Sequence, residues 1–158
     1  MSAAGSAIAE LRDFYDDYVE ALDDLRLEEW PGFFTEDCLY RIIPRENWER
    51  GLTLSTMQAE SRGMLQDRVT GLLRTQMYAP RHYRRFLSGL RIKAEEPGGV
   101  RVRQNVLVVQ TLVDKQSDIV LCGVAHDLVA RDGGRLRLRE RILVMDSEMV
   151  PNSLIYPA

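Results

Sequence analysis

The chain has 158 residues, 45% hydrophobic and 28% charged, the size and make-up of one ordinary globular domain, read here as spanning residues 1–158. A chain this long buries roughly 70% of the surface its unfolded form exposes, so its core needs neither a disulfide framework nor a structural metal. The formal net charge of −3 argues against a general nucleic-acid binder, which carries a basic excess to displace phosphate counterions. No apolar run approaches the roughly 20 residues that span a bilayer, and Met1 to Glu10 has neither a basic leader nor an unbroken apolar stretch, so a cytoplasmic protein is expected. Cys38 and Cys122 are too few for a secreted disulfide scaffold and read as reduced thiols in the core.

In chain order, Ile8, Leu11, Tyr15, Tyr18, Leu22 and Leu25 recur at steps of three and four and predict an amphipathic helix from about Ser6 to Asp24. A short helix or turn through Leu27 to Phe34 follows, anchored by Trp30, Phe33 and Phe34 and interrupted at Pro31 and Gly32. Leu39 to Pro44 reads as a short strand, Arg45 to Gly51 as a polar loop, and Thr56 to Arg74 as a second long helix with Ser55 as its N-cap. Four long antiparallel strands then run through Phe86–Glu95, Val100–Val113, Ile119–Arg131 and Arg135–Asp146, divided by turns at Pro97-Gly98-Gly99, Asp114 to Asp118 and Asp132-Gly133-Gly134. Ser147 to Ala158 carries Pro151 and Pro157 and is expected as an extended tail docked on an apolar groove. Helices followed by a long sheet predict an α+β fold, a cone in which the helices pack on one face of a curved, largely antiparallel sheet.

Charge is unevenly spread. Residues 1–37 hold eleven acids against two arginines, and residues 74–103 hold eight bases against Glu95 and Glu96, so the fold is expected to appose the two regions. Of the 21 bases 19 are arginine, the cation suited to bidentate pairing at interfaces. Arg135, Arg137, Arg139 and Arg141 alternate with Leu136, Leu138, Glu140 and Ile142, which places four guanidiniums on one strand face as candidate subunit-interface residues. Such a ladder would repel itself unless acids from a partner or from the N-terminal helix met it.

Few residues in the sequence are arranged for chemistry. His82 and His126 are the chain's two histidines, whereas a Rieske cluster and a mononuclear non-haem iron together require four. Neither cysteine has a histidine two residues on, and there is no Walker loop, dinucleotide fingerprint or G-x-S-x-G. The cluster Arg81-His82-Tyr83-Arg84-Arg85 could hold an anion or a protein partner. Glu140 is the one acid on the apolar side of the last strand, where a pocket would raise its pKa for acid–base work, unless Arg103 or Arg91 satisfies it. Asp127 and His126 are adjacent and so point to opposite faces of their strand. No catalytic, cofactor-binding or metal-binding residue is assigned.

Three stretches resemble the small (β) subunits of the aromatic-ring-hydroxylating, Rieske-type oxygenases. They are Trp30-Pro31-Gly32-Phe33-Phe34-Thr35-Glu36-Asp37-Cys38-Leu39-Tyr40-Arg41 with Ile43-Pro44-Arg45-Glu46-Asn47; Ala59-Glu60-Ser61-Arg62-Gly63-Met64-Leu65-Gln66-Asp67-Arg68-Val69; and Asp146-Ser147-Glu148-Met149-Val150-Pro151-Asn152-Ser153-Leu154-Ile155-Tyr156-Pro157. The first and last look most like small subunits of the salicylate 5-hydroxylase type, with those of terephthalate and anthranilate dioxygenases as neighbours.

The resemblance implies a fold like nuclear transport factor 2 and a complex, commonly α3β3, with a large (α) subunit that carries the Rieske [2Fe-2S] cluster and the mononuclear iron. Electrons would come from NAD(P)H through a reductase and, in some systems, a ferredoxin. The chain itself would be a structural subunit, inactive alone, in an oxygenase acting on an aromatic carboxylic acid by mono- or dihydroxylation. The alternative is a self-sufficient dehydratase, isomerase or cyclase of the same fold, with an acid–base pocket built on Glu140, Asp127 or His126.

Overall fold

The structure, a computed structural model, describes residues 3–74, 79–149 and 156–158. Helix α1 (Ala3–Asp23) buries most of the predicted stripe, with Leu11, Tyr15, Tyr18 and Leu22 turned into the core, whereas Leu25 falls past the helix end and is exposed. A 3-10 helix (Leu27–Phe33) places Trp30 in the interior and leads into strand β1 (Phe34–Pro44). The expected loop after Pro44 contains one helical turn, α2 (Arg45–Glu49). Strands β3 (Arg81–Glu96), β4 (Gly99–Leu112), β5 (Asp118–Asp132) and β6 (Arg135–Met145) form the expected antiparallel meander.

The expected helix from Thr56 is shorter. Met57–Ala59 is a strand, β2, antiparallel to β1, and helix α3 is Arg62–Arg74. Met57 and Ala59 alternate inward on the strand, and the cap is Ser61, whose Oγ accepts from the Met64 amide at 3.2 Å. Ser55 instead donates from its hydroxyl to the Thr53 carbonyl.

The sheet order is β2-β1-β6-β5-β4-β3, with β1 and β6 the parallel pair. The helices cover its concave face, giving the α+β cone that was expected, of the nuclear transport factor 2 type. Aromatic rings from α1, the 3-10 helix and β1 meet edge-on in the core, Trp30 against Tyr40 at 5.2 Å and against Phe34 at 5.6 Å. Of the last segment, Pro157 and Ala158 are buried within the cone, and the part of the expected tail from Val150 to Ile155 lies outside the described residues. Among the described residues no helix is long and apolar enough to cross a membrane.

A β-bulge resets the last strand. Leu128 pairs with Glu140 but Val129 pairs with Leu138, so Arg139 is an extra residue on β6. Strand alternation therefore changes phase, and Leu138, Arg141, Leu143 and Met145 all face the core. The four-guanidinium face expected from the sequence is thereby corrected: Arg141 is inside, 1% exposed, while Arg135, Arg137 and Arg139 remain outside.

Candidate functional site

The same phase change exchanges the roles of two acids. Glu140 turns to the outer side of the sheet, where Arg101 pairs with it, so it is not the interior acid expected from the alternation. The interior acid is Asp127. Its Oδ2 accepts from Arg141 Nη1 at 2.6 Å and from the Tyr15 hydroxyl at 2.7 Å. His126 points outward, on the face opposite Asp127 as strand alternation predicts, and its ring stacks on Trp48 at 5.1 Å with planes 18° apart.

Around this pair the chain closes on itself. The Ala158 carbonyl accepts from the Tyr18 hydroxyl at 2.8 Å, from Arg141 Nε at 3.3 Å and from the Tyr40 hydroxyl at 3.4 Å. The Trp30 indole donates to the Tyr18 oxygen at 3.0 Å, and the Ala158 amide donates to the Tyr40 oxygen at 3.0 Å. One residue earlier, Arg85 reaches the Pro157 carbonyl through Nε at 3.2 Å and through Nη2, while its Nη1 holds Asp23 at 2.7 Å. The Arg141 guanidinium also lies 4.8 Å from the centre of the Tyr18 ring.

The electrostatics follow from burial. Desolvation pushes the Asp127 carboxyl above its ordinary value, against the pull of Arg141 and of the Tyr15 hydrogen bond. Burial works most strongly against the charged guanidinium of Arg141, but the Asp127 carboxylate together with the Tyr18, Tyr15 and Tyr40 hydroxyls outweighs it and raises its pKa. Tyr15, Tyr18 and Tyr40 are each pushed upward by desolvation, so all three stay protonated and serve as donors. These groups hold structure: the hydrogen bonds donated by the three tyrosine hydroxyls and by Arg141 go to the Ala158 carbonyl or to Asp127.

The remaining candidates are dispersed. Strand alternation splits the Arg81-to-Arg85 cluster, with Tyr83 and Arg85 facing in and His82 and Arg84 facing out. His82 on β3 and His126 on β5 lie on strands separated by β4, and among the described residues no three of His, Cys, Asp and Glu converge as a metal site. The residues present do not fit an iron centre. Cys38 is buried and its thiol is raised to about 11 by desolvation, whereas Cys122 is exposed on the outer sheet face, which corrects the expectation of two core thiols. Asp23–Arg85 is the predicted apposition of acidic and basic regions, but Glu10 pairs with Arg131 and Asp37 with Arg139.

The outer arginines meet the chain's own acids. Arg139 Nη2 lies 2.9 Å from Asp37, and Arg137 Nε lies 3.4 Å from Asp132 while its Nη1 reaches the Gly32 carbonyl. Arg135 is exposed beside Arg137 on the wall of an open groove of about 670 Å3 that also includes Asp13, Asp17 and Glu28. On the convex face an apolar block is uncovered: Phe86 is 56% and Ile119 66% exposed, with Leu107 and Val109 between them in register.

The interior network could have been sought from the sequence, because Tyr15 and Tyr18 lie in the buried stripe of α1 and a buried phenol needs a polar partner. Which partners they take depends on the β6 bulge, for which the residue alternation carries no sign.

Comparison with known proteins agrees with this architecture. The sequence profile described as "Ring hydroxylating beta subunit" matches residues 18–152. The small subunit of anthranilate 1,2-dioxygenase from Burkholderia cepacia is 36% identical over 89% of this chain and 87% of its own length. A β subunit of the terminal oxygenase component of terephthalate 1,2-dioxygenase from a Comamonas species is 29% identical over 89% of this chain and 91% of its own. Among solved structures, the β subunit of an aromatic-ring-hydroxylating dioxygenase from Novosphingobium aromaticivorans superposes with a TM-score of 0.89 at 33% identity, covering 99% of this chain and 100% of that one. The chain belongs to the family of ring-hydroxylating dioxygenase β subunits.

Proposed function

We propose that this chain is the non-catalytic small subunit of a terminal oxygenase acting on an aromatic carboxylic acid of the salicylate type. The observation that carries the reading is the state of the cone's interior. Among the described residues Asp127 is the one fully buried acid, its Oδ2 is committed to Arg141 and Tyr15, and Pro157 and Ala158 occupy the adjoining space. An acid–base enzyme of this shape needs a free carboxyl beside room for substrate, and Glu140 and His126 both lie on the other side of the sheet.

In this reading the Rieske [2Fe-2S] cluster and the mononuclear iron sit in the large subunit, electrons arrive from NAD(P)H through a reductase and in some systems a ferredoxin, and the cytoplasmic assembly is α3β3. The substrate class draws on the relatives, which are named for anthranilate and terephthalate, both aromatic carboxylates. The chain's contribution is geometric. The uncovered block around Phe86 and Ile119, and the exposed parts of Arg135, Arg137 and Arg139, offer surfaces to the large subunit and to neighbouring copies.

Co-expression with the large subunit is the test. Arg137→Glu combined with Arg139→Glu places acids beside Asp132 and Asp37, so assembly should weaken, and most at low salt, where the repulsion is least screened. Intact assembly would remove these arginines from the interface. Purified alone, the chain should carry no stoichiometric iron and consume no oxygen with an aromatic acid; turnover would overturn the non-catalytic reading.

A further inference from the structure

Glu140 takes neither Arg103 nor Arg91 as its partner, because Arg101 holds it and Glu96 as well. The two remaining arginines stand directly opposite one another, Arg91 on β3 and Arg103 on β4, with Cβ atoms about 5 Å apart across the ladder. Arg91 gives one N–H to the neighbouring Leu90 carbonyl, and among the described residues neither guanidinium has an acid within ion-pair reach to offset their repulsion. The row continues into β5, where Arg103 pairs with His126, half-buried with one ring face against Trp48. In the next row Ser88 pairs with Asn105, whose Nδ2 lies 3.5 Å from the Ser88 hydroxyl. All five side chains are on the convex face, since the residues that alternate with them, Leu90, Val102, Gln104 and Asp127, are buried.

Each of these five groups can donate a hydrogen bond and none carries a negative charge. The acids around them are committed elsewhere: Glu140 in the adjoining row to Arg101, and Asp127 on the opposite face to Arg141 and Tyr15. A carboxylate has a single charge and would leave one of the two guanidiniums unbalanced. A phosphate group carries a charge of about −2 and several acceptor oxygens, so it can answer both arginines in bidentate fashion and still reach His126 or Asn105. We propose that Arg91, Arg103 and His126, with Ser88 and Asn105 at the rim, bind a phosphate group on the convex face. The site needs neither the large subunit nor a second copy of the chain, so it stands or falls apart from the subunit role.

The probe is inorganic phosphate, added to the full chain and compared with chloride at equal ionic strength while both histidines are titrated by NMR. His126 is faced by Arg103 from β4, Ile142 from β6 and the Trp48 ring from α2, with Asp127 next to it on the other side of β5, and burial and then Arg103 hold its pKa down. Phosphate should raise that pKa by at least about 0.5 relative to chloride, and His82, exposed at the far end of β3, should not move. Arg91→Gln should weaken phosphate at least about fivefold, and Arg103→Gln should abolish the response. Arg91 is exposed, so its variant decides alone if the Arg103 variant fails to fold. Phenyl phosphate is the second arm: tighter binding than inorganic phosphate assigns the site to a phosphate ester, equal binding to the free ion. Equal responses to phosphate and chloride, equal movement of the two histidines, undiminished binding in Arg91→Gln, or acetate binding as well as phosphate would each overturn the proposal.

Discussion

Replacing Arg141 by Met tests the interior network at its centre. The Arg141 and Asp127 side chains are 1% and 0% exposed, and removing the cation leaves the carboxylate with the Tyr15 hydroxyl as its remaining hydrogen-bond donor. Breaking a buried pair from one side costs about 3–5 kcal/mol, far more than the ~0–1 kcal/mol of a surface pair. For 158 residues the unfolding entropy near the midpoint is about 330 cal/mol/K, so a loss of ~4 kcal/mol lowers Tm by roughly 12 °C. The sign with pH follows from the direction of the Asp127 shift, which is upward through burial even with Arg141 present and rises further without it. An acid whose folded pKa exceeds its unfolded one destabilises the fold fully above the folded value and ceases to do so below the unfolded value, so the variant's deficit should shrink as pH falls through that window. Adding Asp127→Asn removes the charge yet keeps an acceptor for Tyr15, and should restore more than half of the loss. Urea melts of the wild type and of the two variants at several pH values measure all of this. A cost below about 1 kcal/mol, a deficit that grows on acidification, or no rescue by the second substitution would refute the reasoning.

Two further outcomes are expected. At Gly123 a Cβ would collide with the Val144 carbonyl of the paired strand, a backbone atom that cannot yield without parting β5 from β6, so Gly123→Ala should cost at least about 2 kcal/mol in a denaturant melt. Gly32→Ala, with open space around it, is the control and should stay within about 0.5 kcal/mol. His126 should titrate below its ordinary value by NMR, because burial and then Arg103 disfavour its charged form. Being neutral in the fold, it contributes stability above the unfolded pKa that is lost as pH falls toward the folded one, and Trp48→Ala should move the titration back up by uncovering the ring.

Much of the architecture could be read from residue order. The stripe from Ile8 to Leu22 and the glycine turns at Gly98-Gly99 and Gly133-Gly134 carry their own physical signals, periodicity and backbone freedom, and they located α1 and the meander. Other elements lacked such a signal. Met57 to Ala59 is too short for a period of two to show, so its residues read as the first turn of the following helix. β3 begins several residues earlier than expected because Arg85, which reads as a surface residue, is buried against Asp23 and a carbonyl. The largest misreading, Glu140 inside and Arg141 outside, arose from counting evenly along β6 across a residue that the sheet does not pair. Family membership was legible in three local stretches, whereas the interior network joins Tyr15, Asp127, Arg141 and Ala158 across distances that no local pattern spans.

The unpaired residue on β6 is where this strand can change length. Deleting Arg139 would join Leu138 to Glu140 with their partners Val129 and Leu128 unchanged, so the alternation would run on evenly and Arg141, Leu143 and Met145 would stay inside. Losing a paired residue beyond it, such as Ile142, would instead carry Leu143 and Met145 to the opposite face, so related sequences should differ in length along this strand at the bulge and nowhere else in it.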